Sequence, residues 1–293
     1  MGAWQGVFRI SVLAAALAPT CVQAADPPLL MAPASAWVFD RAEDSCAVRR
    51  AFQAGGDQVL LELRQFRPAE GFQVTLVSDT LSPADREPRV RFEPDDDFHE
   101  PAALFVFDQG TAHGILYDDS LLPNRMREAG PLNEWPEAER EARELAITGL
   151  SVTGAFKRDL TLQTGRMFLP MADLRDCMDE LLERWGMDAN IQHTLTRPAV
   201  PVDAQSWVRR VQERYPARQL NVGRSGIAMI RLIVGVDGKP TSCITNKDAP
   251  DHEFDEQACE IVMRYARFEP ALDANGAPTE SLWTTTIVYL ISR

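Results

Sequence analysis

The pattern of apolar and polar positions separates a front region of short, alternating β segments from a tail that reads as one closed unit. In the tail, residues 227–236 (IAMIRLIVGV) are β-rich and run into Asp237-Gly238, followed by a second short strand over 240–245. Asp-Gly between two such runs is a strong hairpin signal, because a two-residue turn of this type needs φ > 0 at both positions. A helical pattern follows: Phe254, Ala258, Ile261, Val262 and Tyr265 form one apolar stripe. Pro270 is expected to stop that helix, since proline cannot continue the hydrogen-bond ladder. Residues 282–291 (LWTTTIVYLI) predict a last strand. Strand, strand, helix, strand makes a small sheet with one helix across a face.

The front region predicts strands at 37–39, 59–63, 72–77, 89–92, 103–107 and 114–117, after an extended lead containing Pro27, Pro28 and Pro33. Turn residues recur at intervals that suit a β-sandwich or barrel-like domain. Residues 137–145 are helix-compatible, 145–156 and 160–164 return to strand character, and 171–185 (MADLRDCMDELLERW) form an amphipathic helix ended by Gly186. The boundary falls near 197–201 (RPAVP), after which Asp203 is placed to cap a helix carrying Trp207, Val208 and Val211. The expected class is therefore α+β: a β-rich domain with a C-terminal helix over 25–197, then a small ββαβ domain over 198–293.

The tail resembles the C-terminal domain of TonB-family energy transducers. The resemblance rests on Tyr215-Pro216, Gly226, Val236-Asp237-Gly238, Phe254-Asp255, Arg267-Phe268-Glu269-Pro270-Ala271, Gly276 and the closing strand. It departs from the usual pattern at Asn246-Lys247-Asp248, where the family often has a Ser-Ser-Gly-like turn. The resemblance implies that the last strand accepts a short peptide from an outer-membrane transporter. Here that strand is Thr284, Thr285, Thr286, Ile287, Val288, Tyr289 and Leu290, between Trp283 and Ile291. An open sheet edge offers unpaired N–H and C=O groups to an added strand, so the role suits the element.

Composition narrows the setting. Residues 1–24 carry Arg9, a short apolar run and Val22-Gln23-Ala24, the pattern of a secretory leader cleaved after Ala24. The apolar run is shorter than the ~20 residues that cross a bilayer, and no later stretch is longer, so no stable span is expected in the mature chain. Without the leader four cysteines remain, Cys46, Cys177, Cys243 and Cys259. An even number in an exported chain suggests two disulfides, and the economical pairing is Cys46–Cys177 with Cys243–Cys259; bonds across the halves would lock them together. The net charge is −13, and residues 25–199, with 18 basic and 31 acidic side chains, carry a balance of −13. Nucleic acid, which needs a basic surface, is an unsuitable partner.

No catalytic constellation is visible. His99, His113, His193 and His252 lack metal spacing, and HEFDE at 252–256 misses the second histidine of a zinc helix. Asp95-Asp96-Asp97 and Asp118-Asp119 lack the spacing of a calcium loop. Gly223-Arg224-Ser225-Gly226 is not a nucleophile elbow. The expectation is a periplasmic, non-enzymatic binding protein without cofactor or metal, recognising an extended peptide or envelope protein by strand addition. The alternatives are a divergent transducer anchored in the inner membrane by a retained leader, and an enzyme with its site in the acidic front domain.

Overall fold

A computed structural model describes residues 26–69, 71–94, 97–122, 135–245, 252–289 and 291. The expected leader, the Asn246-Lys247-Asp248 departure and Leu290 lie outside these residues. In the front half, β1 (Leu29–Pro33), β2 (Val38–Arg41), β3 (Cys46–Ala54), β4 (Asp57–Gln65), β5 (Gly71–Ser78), β6 (Arg89–Glu93), β7 (Ala102–Gln109), β8 (Ala112–Ser120), β9 (Gly149–Thr153) and β10 (Leu160–Leu162) share one sheet. Its order is β6-β9-β10-β1-β3-β4-β5-β8-β7, with β2 beside β3. Neighbours run antiparallel except β1 and β10, which are parallel.

Burial follows the period of two expected of a strand with one face on the core: every second residue of β5, from Phe72 to Ser78, is buried. Leu61, Leu63, Val74, Leu76, Ile115, Leu150 and Leu162 meet Leu174, Met178 and Leu181 of α2 (Phe168–Arg184) in one core. Cys46 of β3 is bonded to Cys177 of α2, with Cα atoms 6.2 Å apart, so the bond ties helix to sheet. The shorter α1 (Glu137–Ala146) is joined to α2 through buried Glu144, which accepts from Arg175 Nη2 at 3.1 Å. Two strands depart from expectation. β1 continues the proline-containing lead into the sheet, and β3 forms although Arg49 and Arg50 interrupt its apolar pattern. Arg50 lies over the rings of Trp37 and Phe52, at 5.6 and 5.9 Å, and donates to the carbonyls of Ser35 and Thr164. Its stem packs while its charge finds acceptors.

The second half begins with α3 (Ala189–His193), β11 (Val200–Val202), α4 (Ala204–Glu213) and α5 (Ala217–Asn221). It continues with β12 (Gly226–Val234), β13 (Pro240–Ile244), α6 (His252–Tyr265), β14 (Arg267–Glu269), β15 (Ala271–Leu272), β16 (Pro278–Thr279) and β17 (Ser281–Tyr289). The small sheet has the order β13-β12-β17, all antiparallel. Ala228, Ile230, Leu232 and Val234 face α6 and α4, where Trp207, Val211, Phe254, Ala258, Ile261 and Val262 complete a second core. Cys243 is bonded to Cys259, with Cα atoms 5.8 Å apart, fastening β13 to α6.

Three local expectations are corrected. Only Gly238 of the Asp237-Gly238 pair has φ > 0 (+73°), because Gly235 N–H donates to Lys239 C=O and closes a three-residue loop instead of a two-residue turn. Helix α6 ends at Tyr265, before Pro270; the chain turns out into β14, which pairs with β11 and sets Phe268 against Trp283 at 5.0 Å. Asp203 precedes α4 at φ 47° and makes no side-chain cap bond, so burial of Trp207 and Val211 carries that helix.

The two cores are joined by a charge. Arg231 of β12, 1% exposed, projects from the sheet face opposite the helices and meets Asp44 of the β2–β3 turn, 5% exposed. Nη1 and Nη2 donate to Asp44 Oδ2 at 2.9 and 2.6 Å, Nη1 also reaches the Asp44 carbonyl at 2.9 Å, and the guanidinium lies 5.2 Å from the Phe66 ring. Beside it Ile233 packs with Leu182, Met187 and Ala189. Removing one partner leaves an uncompensated buried charge, so Asp44→Ala is expected to cost about 3–5 kcal/mol in chemical denaturation. Cys243→Ser should lower the melting temperature, the lost cross-link being worth about 3 kcal/mol, and should leave Cys259 reactive to a thiol reagent in the folded protein.

Candidate functional site

Strand β17 is the outer strand of the small sheet, and its backbone alternates in direction. The N–H and C=O of one residue point to the same side, and those of the next residue to the other. Leu282 N–H leaves the sheet, donating to Gln192 Oε1 at 3.3 Å, so the even-numbered residues of β17 face away from β12. The register agrees on the far side of β12. Met229 turns toward β13 but lies past its end, and its N–H donates to Asp255 Oδ1 at 3.0 Å.

The strand's residues therefore divide. Thr285, Ile287 and Tyr289 bond to β12 and point their side chains at the helices; Ile287 and Tyr289 are buried there. Tyr289 stacks at 4.9 Å on Phe254, and Tyr215 packs edge-on to both rings. Gly226 is required beneath this cluster, since a Cβ would run into the Phe254 ring. The backbone groups of Thr284, Thr286 and Val288 face outward and, among the described residues, meet no hydrogen-bond partner. Of the six described residues of the expected edge, three thus turn their backbone groups to the outside.

This face opens onto a cleft of about 360 Å³ between the halves. One wall is Met229 with Thr284, Thr285 and Thr286; the other is Arg64 to Arg67 at the end of β4, Gly71 to Gln73 of β5, and Asp118 and Asp119 of β8. The front half thus lines the cleft opposite Met229, Thr284 and Thr286. Asp118 is raised above the usual carboxylate range by burial, opposed by Arg67. Arg64 is already engaged with Glu62, Asp40 and Ser45. No sequence pattern marked Arg67 or Gln192, and Asp118-Asp119 stood out only as an acidic pair.

The other singled-out residues are dispersed. His99 meets Asp119 at 3.2 Å and His193 meets Asp179 at 2.7 Å, while His113 pairs with exposed Asp108. Among the described residues no group of three or more His, Cys, Asp or Glu is placed to hold a metal. Among them, too, no helix is long and apolar enough to cross a membrane.

Residues 211–291 match the family described as the Gram-negative bacterial TonB protein C-terminal domain. The match covers the β12-β13-α6-β17 unit together with the end of α4. No curated protein and no solved structure matches the chain.

Within the matched unit, burial raises the carboxyl of Asp255 to about 6, against the opposing pull of the Met229 N–H and of Arg231. A carboxyl with a higher pKa in the fold than in the unfolded chain binds its proton more tightly when folded. Its contribution to stability is present below pH 4 and is lost as pH rises through 6. Asp255→Asn keeps an oxygen for Met229 N–H and removes the titration. Between pH 4 and 6 the stability of the wild type relative to this variant is expected to fall, as read from urea denaturation at each pH.

Proposed function

We propose that this chain is an exported, TonB-like binding protein of the cell envelope that takes up an extended peptide segment by strand addition on β17. One observation carries the proposal: among the described residues the outward N–H and C=O groups of Thr284, Thr286 and Val288 meet no hydrogen-bond partner, and Thr284 and Thr286 line a cleft between the halves. Main-chain hydrogen bonds would supply affinity, and pockets for alternate side chains would supply selectivity. The match over residues 211–291 supports an envelope protein-interaction module, and an outer-membrane transporter is the partner class that the family resemblance suggests. The acidic front domain supplies the second wall of the cleft and no recognised chemistry, so the reading is of a binding protein and not an enzyme.

The alternative is a divergent energy transducer held in the inner membrane by an uncleaved leader. N-terminal sequencing of the periplasmic protein separates the two: a start near Ala25 supports the exported reading, and a retained Met1 supports the anchored one.

Thr286→Pro tests strand addition itself. Proline is tolerated where a strand's N–H faces out, and it deletes that donor. The variant should stay folded by circular dichroism, yet lose at least tenfold in capture of its partner from envelope extract. Retained capture by the folded variant would overturn the reading.

A further inference from the structure

The free edge of β17 is not uniformly open, and the exception lies at its beginning. Gln192 Nε2 donates to the Glu280 carbonyl at 2.9 Å, and Gln192 Oε1 accepts from Leu282 N–H at 3.3 Å. These are the outward carbonyl and N–H that bracket Ser281, the pair that a single residue of a parallel neighbouring strand would satisfy with its own N–H and C=O. A carboxamide has the same donor and acceptor as a peptide group. Only one orientation of the amide satisfies both bonds, since the Glu280 carbonyl can only accept and Leu282 N–H can only donate.

The side chain that does this sits on a braced turn. Helix α3 has five residues, and Asp188 caps it by accepting from Asn190 and Ile191 N–H at 2.9 and 3.3 Å. At its other end Thr194 Oγ1 donates to the Asn190 carbonyl at 2.8 Å. His193, next to Gln192, is held to Asp179 of α2 at 2.7 Å. Met187 and Ala189 pack against Ile233 and Leu282, so the turn is fixed to the sheet it serves.

We infer that Gln192 is the register stop of the strand-addition site. This rests on the reading of β17 as that site. With the Glu280 carbonyl and the Leu282 N–H already taken, Thr284 is the first described residue of the edge with both outward groups open, and Val288 is the last. The site therefore takes a segment of about five residues, about 16 Å at the rise of a strand, and holds it in one alignment. A slip of one residue would turn every side chain of the segment to the opposite face, so a fixed end converts an edge that any strand could pair with into one that reads a defined alternation. The side chains sent to the cleft face would meet Phe66, Arg67 and Asp118.

The test uses the mature chain extended at its C-terminus by a flexible linker and an alternating Thr/Val nonapeptide, so that local concentration drives pairing. Amide hydrogen exchange and backbone NOEs are read in the wild type and in Gln192→Ala. In both proteins the amides of Thr284, Thr286 and Val288 should gain at least tenfold protection over the unextended chain. In the wild type the probe should end opposite Thr284. In Gln192→Ala, Leu282 N–H should exchange at least tenfold faster without the probe, and the probe should extend to Leu282 and Glu280. If the edge gains protection but the alignment is the same in both proteins, or if the probe displaces Gln192 in the wild type, the register stop is wrong and strand addition stands. If no edge amide gains protection in either protein, strand addition fails and the register stop fails with it.

Discussion

A guanidinium removed from water is tolerable only when its charge is met, and Arg231, held by Asp44 through both terminal nitrogens, fixes how the two halves of this protein sit. Burial lowers the affinity of Arg231 for its proton, while Asp44 and Asp255 act in the opposite sense. The desolvation of such a pair can equal its attraction, so the net stabilisation of the folded chain is small, whereas the penalty for separating the partners is large. The pair therefore acts as a specificity element. A docking that separated Arg231 from Asp44 would also break the apolar cluster of Ile233, Met187 and Leu182 beside them. The sheet face of Arg231 also carries Thr284 and Thr286, so the interaction that seats the sheet also determines how far the front half stands from the free edge of β17.

That placement gives the sheet two different faces. On the helix side, Phe254, Trp207 and Trp283 fill an aromatic core that fixes the curvature and spacing of the strands. On the other side Ile233 and Arg231 are packed against the front half and the segment after α2, and the Thr286 end lies beside a cleft. A sheet edge left unpaired invites unwanted association, and short or guarded edges are the usual remedy. Here the guard is partial: the Gln192 side chain closes one end and the front half lines a cleft beside Thr284 and Thr286.

How much of this can be read from the chain depends on the range of the interaction. β12, β13, α6 and β17 were legible because β-rich runs, an Asp-Gly pair between two of them and an i, i+4 stripe are local signals. The end of α6 was misplaced because Phe268 is drawn onto Trp283 across the module, which no helix-stop rule describes. β3 was invisible because Arg49 and Arg50 occupy positions a strand reading expects to be apolar; their acceptors lie on other strands and beyond β10. Gln192 carries no pattern at all, since its partners are backbone atoms 88 and 90 residues away. Arg231 is one polar position inside the β-rich run 227–236, and nothing local distinguishes it; its significance lies in Asp44, 187 residues earlier. The seven residues proposed for the edge were located by resemblance; that only alternate ones face outward became evident from the hydrogen bonds of Leu282 and Met229.

From Cys46 onward the two disulfides link each cysteine to the next one along the sequence, the partners lying 131 and 16 positions apart. For a polypeptide threaded N-terminus first into an oxidising compartment, that arrangement means that pairing thiols in order of arrival yields the native bonds. Cys46 waits, unpartnered, until α2 has emerged, and by then the strands it must join are present to receive it. The front half can thus be sealed before Cys243 appears. Such a chain would mature with a simple oxidant and place little demand on an isomerase.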